Sequence, residues 1–303
     1  MKSIVDFINE SLENNIYEAA SNEVKLMKKW LKEHNAKKLK VVGDEISIIG
    51  KTGSTYNELT FDNAENELPE YVKFNKEPYN ATLEITGKGL LSLKGFPAPS
   101  TEGSLNIWDS ELEDFDLDFS NNKENGTITL HDCNKLKSFS GFKTIKGNSM
   151  PYVYIYGCKS LSSLQDFEGK NIKLSRVENA GIKSLKGYPV VRTDKGGSEI
   201  KVFNCPNLVS LDIESNLTPN TIEIQNCPKL SKVGNINFKN GEVNYLYICD
   251  CPNVDEAFIE ELVDNIKFGK DWGIINLAGT KVSENSDIVK KLKKKYPDFD
   301  FKF

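Results

Sequence analysis

Six cysteines are the residues of this 303-residue sequence best suited to metal binding or thiol chemistry. A zinc site needs cysteine pairs separated by two to four residues, with a second pair nearby. Only Cys249 and Cys251 lie close together, and the other cysteines are at least 22 residues apart. We therefore expect no metal and no cofactor. A free cysteine packs as a small hydrophobic residue, so we expect structural thiols, and unpaired thiols point to a reducing, cytoplasmic location.

The other candidates for chemistry are a group of carboxylates and one histidine. Three alternating carboxylates are similar to the start of an EF-hand calcium loop: Asp114, Asp116 and Asp118. Such a loop requires glycine at its sixth position and a carboxylate at its twelfth. Phe119 and Asn125 occupy those positions, so a solvated acidic edge is expected instead. His131 has no serine or cysteine nucleophile at a recognisable offset. The sequence thus predicts no catalytic residues and a non-enzymatic protein.

Charge and hydropathy narrow the class of partner. The 39 basic and 44 acidic residues give a net charge of −5, which argues against a nucleic-acid binder with a broad basic surface. No apolar run approaches the roughly 20 residues of a membrane span. Asp6 and Glu10 interrupt the apolar stretch at the N-terminus, which therefore does not read as a secretory signal peptide. We expect neither a nucleic acid nor a membrane as partner.

The cysteines belong to an internal repeat. The pattern is apolar-x-apolar-x-x-Cys-x-x-apolar, as in IKVFNCPNL at 200–208 and IEIQNCPKL at 222–230. The cysteine position, or its equivalent, marks ten units: Ala64, Lys88, Ser110, Cys133, Cys158, Ala180, Cys205, Cys227, Cys251 and Thr280. Eight of the nine steps between these markers are 22 to 25 residues long, and the last is 29. Each unit holds a short strand with one apolar face, which stacking against its neighbours would bury.

The repeat resembles the leucine-rich repeat family over about residues 57–284. This resemblance implies an α/β repeat solenoid, in which the strands form one parallel sheet. The return segments lack the regular pattern of a convex helix, so we expect loose convex segments and helical caps at both ends. The residue before each marker tolerates a left-handed or turn conformation. These residues are Asn63, Gly87, Asp109, Asp132, Gly157, Asn179, Asn204, Asn226, Asp250 and Gly279.

The chain divides into three predicted parts: an N-terminal helical cap with lead-in strands at 1–50, the solenoid at 51–284, and a C-terminal capping helix and strand at 285–303. Two helical stretches are expected within 2–34. The first has an apolar face of Ile4, Phe7, Ile8 and Leu12, and the second one of Val24, Met27, Trp30 and Leu31. A strand pair is expected at 39–49. A helix at 254–268 explains the long last step.

The predicted partner site is the strand face that points away from the core. Its aromatic and basic side chains, which we expect on an open concave sheet, are Trp108, His131, Tyr152, Tyr154, Tyr156, Arg176, Lys201, Phe203, Tyr245 and Tyr247. Clustered aromatics with arginine and lysine are typical of protein-interface cores. The alternative is that β-propensity alone enriches aromatic residues in strands. Cys249 has the same outward phase, so we expect a reactive thiol.

The N-terminal segment MKSIVDFINESL resembles the leaders of proteins from large tailed phages, which are cut after a short apolar-x-Glu motif that Ile8-Asn9-Glu10 would fit. We therefore expect a protein-binding module in the cytoplasm, phage-encoded and engaging or inhibiting a host protein in its host's cytoplasm. One alternative is a capsid-packaged or structural virion component, and another is a carbohydrate-binding face.

Overall fold

Short strands that recur with the sequence repeat form one 11-stranded parallel sheet. The structure, a computed structural model, describes residues 22–50, 56–75, 77, 79–120, 126–143, 151–168, 170, 172–190, 198–215, 217–238 and 241–303. Each coil of the chain contributes one strand, so the molecule is a parallel β-solenoid of stacked coils. The predicted solenoid and its parallel sheet are therefore confirmed.

The strands in chain order are β1 (Lys40–Val42), β2 (Glu45–Ser47), β3 (Tyr56–Thr60), β4 (Thr82–Thr86), β5 (Ser104–Trp108), β6 (Thr127–His131), β7 (Tyr152–Tyr156), β8 (Lys173–Glu178), β9 (Glu199–Phe203), β10 (Ile213–Ser215), β11 (Thr221–Gln225), β12 (Ile236–Phe238), β13 (Tyr245–Cys249), β14 (Gly273–Asn276) and β15 (Phe299–Lys302). The main sheet has the order β15-β14-β13-β11-β9-β8-β7-β6-β5-β4-β3. Strands β1 and β2 form an antiparallel pair, the predicted lead-in strands. Strands β10 and β12 form a separate parallel pair.

The core lies behind the main sheet and consists of continuous apolar columns. In strand β6, for example, Ile128 and Leu130 are fully buried, whereas the alternate side chains of Thr127, Thr129 and His131 point to the other face. The register places equivalent residues side by side, as with Ile128 and Val153. Because alternate side chains of a strand point to opposite faces, one apolar residue in two suffices to build the core.

The turn after each strand is built as the sequence indicates. Nine of the ten residues that precede the markers have a positive φ, between 51° and 105°. They are Gly87, Asp109, Asp132, Gly157, Asn179, Asn204, Asn226, Asp250 and Gly279. Asparagine, aspartate and glycine adopt this left-handed conformation at the lowest cost. The repeated choice of these three residue types thus allows the chain to leave each strand at a sharp corner.

The marker cysteines lie in the core directly after this corner. Cys133, Cys158, Cys205, Cys227 and Cys251 are all free and fully buried. Each thiol lies 3.3 to 3.6 Å from the carbonyl oxygen of the residue two positions earlier and donates to it. The cysteine therefore fills a small apolar slot and also gives the corner carbonyl a weak donor. The expectation of structural thiols is confirmed.

The segments on the far side of the core are loosely paired, as expected. They meet through the β10–β12 pair and through single bridges such as Asp114 with Ser138 and Ser210 with Lys232. Phe115, Leu117 and Phe119 point into the core from one such segment. Among the residues that the structure describes between β3 and β13, the helical structure consists of a single 3₁₀ turn at Gln165–Phe167.

Helices lie at the two ends of the solenoid. Residues 22–33 form helix α1, with Met27, Trp30 and Leu31 buried in the core. Helix α2 (Glu256–Asn265) follows β13, and helix α3 (Asp287–Lys295) precedes β15. The side chains of Asp255 and Ser286 cap α2 and α3 by accepting from backbone N–H groups.

These helices are few and short, so the α/β description overstates them: the molecule is chiefly a β-solenoid. The other predicted helix, with Ile4, Phe7, Ile8 and Leu12, and the leader motif at Ile8 to Glu10 lie outside the described residues.

Two repeats depart from the expected phase. In the first, Leu59 pairs with Ile85, so the inward slot before it holds Asn57 and not an apolar residue. The Asn57 amide is fully buried and hydrogen-bonds Ile49 through both its oxygen and its nitrogen. The predicted marker Ala64 is consequently wrong by two residues, and Asn63 does not have a positive φ.

In the other repeat, the β7–β8 register shifts between Val153 and Tyr154, so that Leu174 fills the inward slot and Ser175 is the extra residue.

Candidate functional site

The outer face of the main sheet, meaning the face opposite the core, gathers the predicted site residues. Nine of the ten side chains are half-buried on this face, and Phe203 is the exception. The strand register aligns them in rows that run across the sheet. Trp108, His131 and Tyr156 share one row, and Tyr154 and Arg176 share the next. The structure thus brings residues that are far apart in sequence onto one surface.

Three of these residues form an aromatic ladder: Trp108, His131 and Tyr156. The centroids of the Trp108 and His131 rings are 3.7 Å apart and their planes differ by 3°. The His131 and Tyr156 rings are 4.8 Å apart at 10°. Tyr154 lies nearly parallel to Tyr156, with 6.5 Å between centroids. Neighbouring strands are spaced about 4.8 Å apart, so rings in one row of a parallel sheet stack face to face. Stacking leaves mainly ring edges towards the outside.

The middle of the outer face is a charged centre of Arg176, Glu178, Lys201 and Glu223. Arg176 contacts Glu178 through two nitrogens, at 2.8 and 2.9 Å. The other oxygen of Glu178 accepts from the Asn204 amide at 3.0 Å. Lys201 pairs with Glu199 at 2.8 Å. The charges of this centre are thus largely compensated within the surface.

The charged centre borders an open depression of about 730 Å³. It is lined by Arg176, Lys201, Phe203, Asn204, Glu223, Gln225, Asn226 and Asp250. The Asn204 and Asn226 side chains are linked by a hydrogen bond of 2.6 Å. Asn204 was not expected in the site, because its turn position predicted only a backbone role. Its amide instead connects the turn to Glu178.

Two residues of the outer phase are less accessible than the sequence suggests. Phe203 is only 8% exposed, because the Arg176 guanidinium lies over its ring at 4.0 Å. Cys249 is also only 8% exposed. Burial raises the pKa of the Cys249 thiol to about 11, with a smaller contribution from the charge of Asp250. Both observations oppose the expectation of a readily reactive Cys249 thiol, since the thiolate is the reactive form.

A second aromatic group lies near the β15 end: Tyr245, Tyr247 and Trp272. Trp272 is 56% exposed, and its ring meets that of Tyr245 edge to face at 5.7 Å. Trp272 was missed by the repeat pattern because it lies in the loop between α2 and β14. In the sequence, the one signal that could have placed Trp272 in the site is its position directly before a strand.

Burial perturbs the titration of the outer face. Desolvation in the aromatic ladder lowers the pKa of His131 below its ordinary 6.5, while the nearby Asp132 acts in the opposite direction. Burial also raises the pKa of Tyr156, an effect that the positive charge of Arg176 reduces. Burial likewise raises the pKa of Tyr247. At neutral pH these three side chains are consequently uncharged and present hydrogen-bonding groups within an apolar surface.

The aspartates that are similar to a calcium loop serve the far side of the solenoid. Asp114 accepts from Ser140 at 3.0 Å and from the Gly141 backbone at 2.8 Å, and Asp116 accepts from Ser92 and from the Leu93 backbone at 2.6 Å. These hydrogen bonds join neighbouring coils. The acidic edge that we expected to be solvated therefore also holds adjacent coils together. Among the described residues, no group of three or more metal-ligating side chains converges on one point.

No helix within the described ranges has the length and apolar character needed to span a bilayer. No family model, curated protein or solved structure matches the chain. The geometry of the outer face is therefore the basis for a functional assignment.

Proposed function

We propose that the protein is a non-enzymatic, protein-binding module, and that the partner docks on the outer face of the sheet. The observation that supports this is the half-buried aromatic ladder beside a compensated charged centre, with a second aromatic group beyond it. Interface cores are enriched in tyrosine, tryptophan and arginine, whereas lysine, glutamate and aspartate are more common at the rim. The aromatic residues and Arg176 match such a core, and the lysine and glutamate charges beside them are compensated within the surface.

The rigidity of the surface also favours binding. Rings held in a stack, and an arginine held by both a carboxylate and the Phe203 ring, lose little conformational freedom when a partner docks. Ordering flexible side chains at an interface costs about 0.5–1.5 kcal/mol each, and this surface is already ordered.

The same stacking argues against the carbohydrate alternative at the ladder. A sugar binds an aromatic side chain by lying on the face of its ring. Both faces of the His131 ring are occupied, by Trp108 and by Tyr156. A protein partner can instead pack against the ring edges, so the ladder suits a protein better.

We also infer the protein family, the cellular compartment and the kind of partner of this module. The 22–25-residue unit and its asparagine or aspartate corner support a relationship to leucine-rich repeats, whose strand face binds other proteins. Six free, buried thiols support a reducing compartment such as the cytoplasm. The partner would be a host protein if the gene is of phage origin, as the leader resemblance suggests.

The experiment replaces one tyrosine in each aromatic region, Tyr154→Ala with Tyr247→Ala. Their strands, β7 and β13, are four steps apart in the sheet, or roughly 19 Å, so one globular partner can cover both. Proteins captured from host lysate by the wild type and by the double variant are quantified by mass spectrometry. The partner identified is then purified and titrated by calorimetry.

We expect the double variant to fold normally and to bind at least 30-fold more weakly, since hot-spot aromatics contribute about 2 kcal/mol or more. The matched control is Lys186→Ala with Lys232→Ala, two exposed lysines on the far side of the solenoid, which should bind like the wild type. Equal binding by the double variant and the wild type would refute the assignment of the site.

A further inference from the structure

The two edge strands of the main sheet, β3 and β15, differ in whether another segment of the chain pairs with their outer side. At one edge, β3 is covered by the segment that follows α1: Lys37 and Glu58 exchange backbone hydrogen bonds of 3.0 and 3.2 Å. At the other edge lies β15, which pairs with β14 on one side. Among the described residues, no strand pairs with its other side. An uncovered edge is a template for pairing with another chain.

The direction of the free backbone groups on β15 follows from its pairing. The Leu277 N–H donates to the Lys302 carbonyl oxygen at 2.8 Å, so the backbone groups of Lys302 point towards β14. Successive residues of a strand point their backbone groups to opposite sides. Phe301 and Phe303 therefore direct their N–H and C=O groups to the open edge.

We propose that two copies of this chain pair through β15, antiparallel and centred on Phe301, to join two solenoids end to end. This register places Phe301 opposite Phe301 of the second copy and Phe299 opposite its Phe303. The carbonyls of these positions face the open edge, so they fall at the hydrogen-bonded sites of an antiparallel pair. The Phe299 N–H already donates to the Tyr296 carbonyl oxygen at 3.2 Å, so the bonds across the pair come from the N–H groups of Phe301 and Phe303. A two-fold arrangement of this kind is the commonest symmetry of protein oligomers.

The side chains of β15 are self-complementary in this register. Asp300 falls opposite Lys302 of the second copy, at a non-hydrogen-bonded site, where facing side chains are closest. Both are about half exposed, and within one copy they are 3.5 Å apart. Opposite charges at facing positions stabilise a strand pair, and like charges destabilise it. A lysine alone would protect an edge against self-pairing, whereas the order Asp-x-Lys favours it.

The apolar side of β15 also gains from pairing. Phe301 and Phe303 pack against the core but remain half-buried. Lys293 of α3 lies over both rings, at 5.9 and 5.4 Å, and its charge is compensated by Glu284 at 2.9 Å. A second copy would cover these rings without burying an unpaired charge. The outer faces of the two copies would then form one continuous surface.

The test exchanges the two charges. Asp300→Lys alone and Lys302→Asp alone each place like charges opposite one another in a homodimer. The double variant Asp300→Lys with Lys302→Asp restores opposite charges, and so does an equimolar mixture of the two single variants. Asp62→Lys, an exposed position near β3, is the control with the same change in net charge as Asp300→Lys. Sedimentation velocity over a concentration series measures the dissociation constant of the dimer, and circular dichroism checks the fold.

We expect a wild-type dimer, a dissociation constant at least tenfold higher for each single variant, and near wild-type values for the double variant, the mixture and the control. A wild type that stays monomeric over the whole concentration range would overturn the proposal. A dimer whose dissociation constant is the same in the wild type and in both single charge-reversal variants would overturn the proposal as well. Binding of the outer-face partner is measured separately, so either proposal can fail alone.

Discussion

Replacing Leu208 with alanine should reveal how far one coil depends on its neighbours. Leu208 occupies the last apolar slot of the pattern in its repeat and is fully buried. The equivalent slots before and after it hold Ile182 and Leu230, which are also fully buried. Leu208→Ala therefore removes three side-chain carbon atoms, with their hydrogens, from the middle of a continuous apolar column.

The expected cost follows from transfer and cavity terms. Three carbon groups at about 0.8 kcal/mol each account for roughly 2.4 kcal/mol. Parallel hydrogen bonds tie β9 to its neighbours β8 and β11, so the coils cannot move together to close the gap. A remaining cavity of roughly 60 Å³ at about 24 cal/mol per Å³ adds about 1.4 kcal/mol. The loss in unfolding free energy should thus be about 4 kcal/mol.

Urea unfolding followed by circular dichroism measures this loss, and calorimetry shows whether unfolding remains a single transition. Leu208→Met is the matched control, since it nearly conserves volume and should cost less than about 1.5 kcal/mol. A loss below about 1 kcal/mol for Leu208→Ala would refute the reasoning, because it would mean that the column is not tightly packed.

Three further predictions concern the turn, the thiols and the ladder. Asn179, with φ at 51°, should tolerate Asn179→Gly, whereas Asn179→Val should cost about 1–2 kcal/mol in urea unfolding; equal stability of the two variants would contradict the conformational role of the corner. Cys249 and Cys205 should both resist alkylation in the native protein and react after denaturation, as read by intact mass; rapid native labelling of either would contradict the burial described here. The His131 imidazole should titrate below 6.5 by NMR, and Trp108→Ala should move its pKa back up by admitting water. Because the pKa of His131 is lowered in the folded state, its contribution to stability is present above about pH 6.5. This contribution is lost as the pH falls through the folded-state pKa. His131→Gln should remove this pH dependence of stability.

The repeat made the coil predictable, because each slot of the coil demands one type of residue. The corner before each marker requires positive φ, and asparagine, aspartate or glycine recurs there. The inward slots require apolar side chains, and the spacing of the markers then sets the register. Asn57 broke the prediction for the first coil, because a polar side chain fills an inward slot by hydrogen-bonding the Ile49 backbone.

Exposure on the outer face was less predictable than phase. Phase depends on the strand alone, whereas exposure depends on how far a neighbouring side chain reaches. Arg176 is long enough to lie across Phe203, and Trp108 and Tyr156 enclose the His131 ring. Such contacts join residues 23 to 27 positions apart, and no local pattern in the sequence specifies their side-chain conformations.

The unequal sheet edges have a consequence for local opening of the chain. Each interior coil is held by two neighbours, so exposing its amides to solvent requires breaking two interfaces. In the part of the chain that the structure describes, strand β15 pairs with β14 alone. Amide hydrogen exchange should therefore be slowest in the central strands and become faster towards β15, while β3, sealed by the Lys37 segment, exchanges more slowly than its position at an edge would suggest. For the coils that the structure describes, we therefore expect local opening to begin at the β15 end of the sheet rather than at β3.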